Sequence, residues 1–191
     1  MLASAWTKMA GAIGRLSSHP DGRTALANTV ALVILSNQPF YPLYLRWAVS
    51  PVIWPSFLTF LSTPLFLAAP LLARRSALLG RGVMLAAGIG NTLLCIAAFG
   101  AASGVAVFLF PCLILSMLLF MPERRGLALG FAALCFAILL APIEQFIEPL
   151  HHYTADEYAA FQRLNLLSAA SLTALIGWVF ARERAKSPRD A

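Results

Sequence analysis

Charge is scarce in this chain. Only 12% of its 191 residues are Asp, Glu, Lys or Arg, against about 25% in soluble domains. Disordered segments are rich in charge and poor in apolar residues, so that class is excluded. Cysteine is scarce too. Cys95, Cys112 and Cys135 each sit inside an apolar run, without a CxxC or Cys/His spacing, and read as reduced core residues rather than as a disulfide framework or redox pair. Histidine is limited to His19, His151 and His152, outside every apolar run. HExxH, GxSxG and P-loop motifs are missing, so no zinc protease, serine hydrolase or nucleotide-phosphate site is written here. The expectation is a protein that is not an enzyme and needs no cofactor.

What is abundant is apolar surface. Ala, Val, Ile, Leu, Met, Phe, Trp, Tyr and Cys make up 60% of the chain, before its 12 glycines are counted. A soluble fold of this size cannot bury so much, so lipid is its solvent. Six apolar runs stand out, at about 24–44, 53–73, 83–100, 105–121, 127–143 and 161–181. Each matches the roughly 20 residues a helix needs to cross about 30 Å of hydrocarbon. They are too uniformly apolar for the alternating strands of a membrane barrel. The reading is an all-α polytopic membrane protein, a bundle of six transmembrane helices over 24–181. An amphipathic segment over 1–23 precedes it and a basic tail over 182–191 follows.

Lys and Arg set the orientation. With the N-terminus inside, twelve fall on the inner side (Lys8, Arg15, Arg23, Arg74, Arg75, Arg81, Arg124, Arg125, Arg182, Arg184, Lys186 and Arg189) and two outside, Arg46 and Arg163. This is the positive-inside pattern, with both termini cytoplasmic. The clustering between apolar runs also explains the net charge of +6 without nucleic acid. No cleavable signal sequence is visible, because the first 23 residues lack an apolar core. Trp6, Met9, Ala10, Ile13 and Leu16 instead form one helical face, with Lys8 and Arg15 away from it, as in a helix lying in the interface. Tyr41, Tyr44, Tyr153, Tyr158, Trp47 and Trp54 fall at the outer boundary, where amphipathic rings form a belt. A ligand cage of Tyr41, Tyr44 and Trp47 is the alternative.

Within the runs, polar residues are neutral: Asn28, Asn91, Thr92, Ser116, Asn165, Ser168, Ser171 and Thr173. With no charge to carry an ion or proton path, Asn91 and Asn165 read as hydrogen bonds between helices, and a polar ligand site is the alternative. Gly88, Gly90, Gly126 and Gly130 read as points of close helix approach. Pro64 and Pro111 read as kinks. Gly100–Gly104 reads as a tight turn. In the outer segment 144–160, Glu144, Glu148 and His152 recur at i, i+4 and i+8. On one helix they would offer oxygen and nitrogen ligands to a divalent metal, although Pro149 interrupts that helix. A solvated acidic loop is the plainer reading. His151 and His152 are also candidates for pH sensing, since imidazoles titrate near pH 6.5.

Two stretches carry a resemblance. Ser103–Arg125 (SGVAVFLFPCLILSMLLFMPERR) is an apolar helix broken by proline and closed by Pro-Glu-Arg-Arg, and Arg163–Arg184 (RLNLLSAASLTALIGWVFARER) is a last helix running into a charged exit. Together they resemble the six-helix N-terminal membrane region of bacterial signalling proteins such as class III nucleotidyl cyclases, diguanylate cyclases and histidine kinases. The resemblance implies a sensor or anchor in the bacterial inner membrane that works as a homodimer or through a cytoplasmic effector. Where an effector domain would follow Arg184, this sequence departs from the pattern with Lys-Ser-Pro-Arg-Asp-Ala. The expectation is a non-catalytic receptor-like or regulatory membrane protein that acts through a partner or as a freestanding input module. The competing expectation is a small homo-oligomeric transporter for neutral or apolar cargo.

Overall fold

The computed structural model describes residues 11 and 13–186. Among them all regular secondary structure is helical. The expectations resting on Trp6, Lys8, Met9, Ala10, Arg189 and the end of the tail lie outside the described residues.

Helix α1 (Gly22–Asn37) passes through a 3-10 turn (Gln38–Phe40) into α2 (Tyr41–Ala48). A nine-residue 3-10 segment (Trp54–Ser62) then runs into α3 (Thr63–Ala73). Helix α4 covers Ala77–Phe99, α5 Leu109–Phe120, α6 Arg125–Leu140 and α7 Ala155–Lys186. Trp54–Ala73, Ala77–Phe99 and Ala155–Lys186 are long and apolar enough to cross a membrane, while Val105–Phe120 and Arg125–Leu140 are shorter apolar helices. Helix α4 is central. It packs on α1, on α3 with its 3-10 extension, and on α5, while α7 closes the bundle against α1 and α5, and α6 rests on α5. Large apolar side chains cover the outside, Leu140 (83% exposed), Leu167 and Trp178 among them. Such a surface suits lipid, and the protein is a membrane protein.

The 3-10 segments have a cause in the sequence. Ser56, Thr59 and Ser62 recur every three residues, and each hydroxyl donates to the carbonyl three positions back: Ser56 to Ile53 (2.5 Å), Thr59 to Ser56 and Ser62 to Thr59 (2.7 Å each). A 3-10 helix has three residues per turn, so these side chains stack on one face, and all three are buried. The winding relaxes to α at Thr63, just before Pro64, and at Leu109, two residues before Pro111. Both prolines therefore occupy a first turn, where the missing N–H costs little. The kink expected at each is a change of winding. Pro70, inside α3, is the proline within a regular α-helix.

Three boundaries differ most from the hydropathy reading. Ser76 caps α4 by accepting from Leu79 N (3.3 Å), so the helix starts six residues before 83 and contains Arg81, placed above in a loop. The sequence Thr154-Ala-Asp-Glu157 forms a capping box. Glu157 Oε2 accepts from Thr154 N at 2.8 Å, and Thr154 Oγ1 accepts from Glu157 N at 3.3 Å. It starts α7 at Ala155, so Asp156 and Glu157 belong to the helix and not to the preceding loop. At the other end α7 continues to Lys186, and Arg182, Arg184 and Lys186 are its last turns rather than a separate tail. Between α4 and α5, Gly100 (φ 82°) and Gly104 (φ 70°) flank the 3-10 turn Ala101–Ser103. That is a tight turn, as its position between two apolar runs suggested.

Candidate functional site: a neutral polar rung on an apolar cavity

A cavity of about 720 Å³ lies among α1, α2, α4, α5 and α7, within the 300–1,000 Å³ usual for small-molecule sites. Its walls are mostly apolar, including Val30, Phe66, Leu85, Val105, Leu115 and Leu172. Val33 and Phe40 on one side and Leu167 on the other line it and are also exposed, so it opens sideways between the α1–α2 run and α7.

One wall is polar. At the α1–α2 junction Gln38, 7% exposed, donates from Nε2 to the Thr59 carbonyl (3.0 Å) and to Ser62 Oγ (2.8 Å), and its Oε1 accepts from Thr63 Oγ1 (2.9 Å). Ser62 Oγ in turn reaches two acceptors, the Thr59 carbonyl at 2.7 Å and Asn91 Oδ1 at 2.8 Å. A hydroxyl has one proton, so it serves one of them at a time. This rung ties α1, α3 and α4 together through neutral groups. Among the described residues Asn91 Nδ2 has no acceptor, and Asn91 lines the cavity. Its amide therefore bonds a neighbouring helix with one end and presents the other to the cavity.

Four buried polar atoms have no partner among the described residues: Asn28 Oδ1, Tyr41 Oη, Arg81 Nε and Asn165 Oδ1. Of these residues Tyr41 alone lines the cavity. Its ring packs edge-on against Phe99, with centroids 6.0 Å apart, so its hydroxyl is not in the outer belt where the sequence placed it. Tyr44 also lines the cavity and donates to Asn37 Oδ1 at 3.3 Å, whereas Trp47 is 88% exposed. The aromatic cage is thus not assembled. Asn165 Nδ2 donates to the Ser103 carbonyl at 3.0 Å, joining α7 to the α4–α5 turn.

Aromatic rings connect the cavity to the segment before α7. Phe99 meets Phe161 at 5.1 Å, Phe161 meets Tyr153 at 4.9 Å, and Tyr153 meets His151 at 4.7 Å. Burial, with Glu157 and Tyr158 nearby, pushes the Tyr153 phenol up to about 12. It therefore stays protonated and donates to the Val52 carbonyl at 3.1 Å. His152 is exposed. Glu144 lies in a 3-10 turn (Ile143–Gln145), and the chain is irregular from there to Thr154. Glu144, Glu148 and His152 therefore do not share a helical face. Among the described residues no three His, Cys, Asp or Glu side chains are placed to hold a metal.

The charged groups cluster at the opposite end. Arg23 pairs with Glu123, and Arg81 lies 3.6 Å from Asp21 and over the Phe120 ring at 5.9 Å. Gly22 faces the α7 residue Glu183, at 3.5 Å from an added Cβ to the Glu183 Cβ. Close approach by glycine occurs at Gly80 and Gly88, not at Gly126 or Gly130. A Cβ at Gly80 would lie 2.5 Å from Ala73 Cβ, and one at Gly88 would lie 3.3 Å from Cys112 Sγ. At Gly90, Gly126 and Gly130 it would meet nothing within 4 Å, because these three face away from the packed interior. Gln38, Thr59 and Ser62 were not singled out as site residues, and Tyr41 was named only with Tyr44 and Trp47. The period-three hydroxyls of Ser56, Thr59 and Ser62 were the available signal.

Comparison with known families settles the class. The MASE7 family profile matches residues 21–185. The chain belongs to the MASE7 family of membrane-associated sensor domains. The match begins at Asp21, the cap of α1, and ends one residue short of the end of α7, so it takes in the cavity, the rung and the charged cluster alike. No curated protein and no solved structure matches this chain significantly.

Proposed function

We propose that this MASE7 domain crosses a bacterial inner membrane six times with both termini in the cytoplasm. We propose further that it acts as a non-catalytic sensory module, with the cavity as its input and α7 as its output to a cytoplasmic effector protein. The observation that carries this reading is the position of α7. The middle of this one unbroken helix supplies Ser168, Ser171, Leu172 and Leu175 to the cavity wall. Its last turns carry Arg182, Arg184 and Lys186, all exposed, beyond the cavity. At 32 residues it is about 48 Å long at 1.5 Å per residue, more than the hydrocarbon thickness of about 30 Å. An occupant of the cavity that binds two positions of α7 unequally would shift the helix end.

Six spans and the cytoplasmic termini follow from the Lys/Arg distribution and from counting Gly22–Ala48 as one continuous helical run. The shorter α6 fits by local thinning of the bilayer. Reporter fusions after Arg75, Arg125 and Lys186 should report cytoplasm, and fusions near Trp47, Ser103 and Tyr153 the exterior. An odd number of crossings would refute the topology. For coupling, labelling of Arg184→Cys should change rate when Ser168→Phe fills the cavity. An unchanged rate in a folded protein would refute the output role of α7.

A further inference from the structure

We infer that the cavity takes an uncharged amphiphile from the bilayer: a hydrocarbon chain bearing a carbonyl-type oxygen that accepts from Asn91 Nδ2, with Tyr41 Oη as a second polar contact. This deepens the sensory reading and rests on it for biological meaning, but the binding itself is tested separately. The size fits a drug-sized molecule, and the mouth opens where the six-span reading places lipid. The charge requirement follows from the lining. Its polar members are Ser36, Asn37, Gln38, Thr59, Asn91, Thr92, Ser168 and Ser171, besides two tyrosines and two cysteines. None is an ion at neutral pH, so an anionic or cationic ligand would be desolvated without a counterion.

The hydrogen-bond requirement follows from the rung. Gln38 is satisfied at both ends of its amide, and the single Ser62 proton is already committed to the Thr59 carbonyl or Asn91 Oδ1. Among the described residues Asn91 is engaged only through Oδ1, which leaves Nδ2 without an acceptor, and the Tyr41 hydroxyl is buried without a partner. A pure hydrocarbon would take water from Asn91 Nδ2 and supply nothing to it or to the buried Tyr41 hydroxyl, which costs more than leaving the cavity wet. Asn91, Cys95 and Phe99 succeed one another at one-turn intervals along α4, and Tyr41 packs on Phe99. The two polar points are therefore separated along the helix by up to about 12 Å, which suits an elongated molecule rather than a compact one.

The test uses the protein in phosphatidylcholine nanodiscs with a medium-chain methyl ester carrying a terminal diazirine. Unlabelled methyl ester, a matched n-alkane and the matching carboxylate serve as competitors. Adducts should map to cavity residues such as Val30, Leu85 and Leu172, and Ser168→Phe should reduce them. The methyl ester should compete about tenfold better than the alkane, and the carboxylate should be the poorest. Tyr41→Phe is the diagnostic variant. It removes a buried hydroxyl that has no partner, so without ligand the protein should be at least as stable as wild type, while ester competition weakens about fivefold and alkane competition is unchanged. Equal competition by alkane and ester, preference for the carboxylate, or adducts outside the cavity would each overturn the inference. Ester binding in the cavity with no change in Arg184→Cys labelling would refute the sensory coupling and leave the ligand class standing. A labelling response to other stimuli without ester binding would do the reverse.

Discussion

Arg81 Nη1 donates to the Leu119 carbonyl at 2.8 Å, so a cation inside α4 closes the last turn of α5. The Arg81 side chain is 13% exposed, with Asp21 at 3.6 Å. It thereby joins three elements: the cap of α1, the body of α4 and the end of α5. Arg81→Leu removes the donor and leaves Asp21 and the Leu119 carbonyl short of a partner. The expected cost is about 1–3 kcal/mol, read as a lower melting temperature in detergent. Arg81→Lys should recover only part of it, because an ammonium cannot bond the carbonyl and stack on Phe120 with one planar face.

Acid should loosen the same end of the bundle. Burial acts to raise the Asp21 carboxyl, but the Thr24 hydroxyl, Arg81 and the Arg23 amide outweigh it and hold it below its ordinary 3.8. The Arg23 hydrogen bond holds Glu123 below 4.5. The unfolded chain therefore binds more protons in this range, and stability rises with pH. The contribution is present above these ordinary values and is lost as pH falls through the lower folded ones. Melts from pH 3 to 6 should show wild type falling towards Asp21→Asn at the acid end. A constant gap between the two would show that Asp21 does not titrate differently on folding.

Gly80 and Gly82 should respond oppositely to the same substitution. Besides Ala73 Cβ, an alanine methyl at Gly80 meets Ala73 Cα at 2.7 Å and the Ala69 carbonyl at 2.8 Å, whereas at Gly82 it meets nothing within 4 Å. Backbone cannot yield as a flexible side chain does, so Gly80→Ala should destabilise by about 1–3 kcal/mol through overpacking of α3 on α4. Gly82→Ala should stabilise by up to about 1 kcal/mol through helix propensity. Thermal denaturation of the two variants side by side checks the sign.

Hydropathy made the helical class and the existence of each run legible, because lipid leaves the backbone few other options. Boundaries were not legible from hydropathy, because caps set them. Ser76 and the Thr154–Glu157 box both lie outside the apolar windows, so α4 and α7 came out short and Arg81 was assigned to a loop. Spacing alone could not separate glycines that pack, Gly80 and Gly88, from those that face outward, Gly126 and Gly130, since helix rotation about its axis is set by neighbours. The cavity was illegible for a similar reason. Asn91 and Ser171 were visible as intramembrane polar residues, but their meeting with Tyr41 depends on the rotation of three separate helices. Ser56, Thr59 and Ser62 were the exception, a period of three in plain sight that an 18-residue hydropathy window averages away.

The rung itself can be measured by a double-mutant cycle on Ser62 and Asn91. Asn91→Ala loses one hydrogen bond, frees the Ser62 proton for the Thr59 carbonyl, and should cost about 1 kcal/mol or less. Ser62→Ala should cost more, about 1–3 kcal/mol, because Gln38 Nε2 loses an acceptor in a buried site and Asn91 loses its partner together. In the double variant the Asn91 bond cannot be lost twice, so the two costs should fall short of additivity by about 0.6 kcal/mol, the usual size of a hydrogen bond between membrane helices. Strict additivity of the melting shifts would mean that the 2.8 Å approach of Ser62 to Asn91 contributes no net energy. The polar wall would then be held by Gln38, Thr59 and Thr63 alone, and both ends of the Asn91 amide would be available to the cavity.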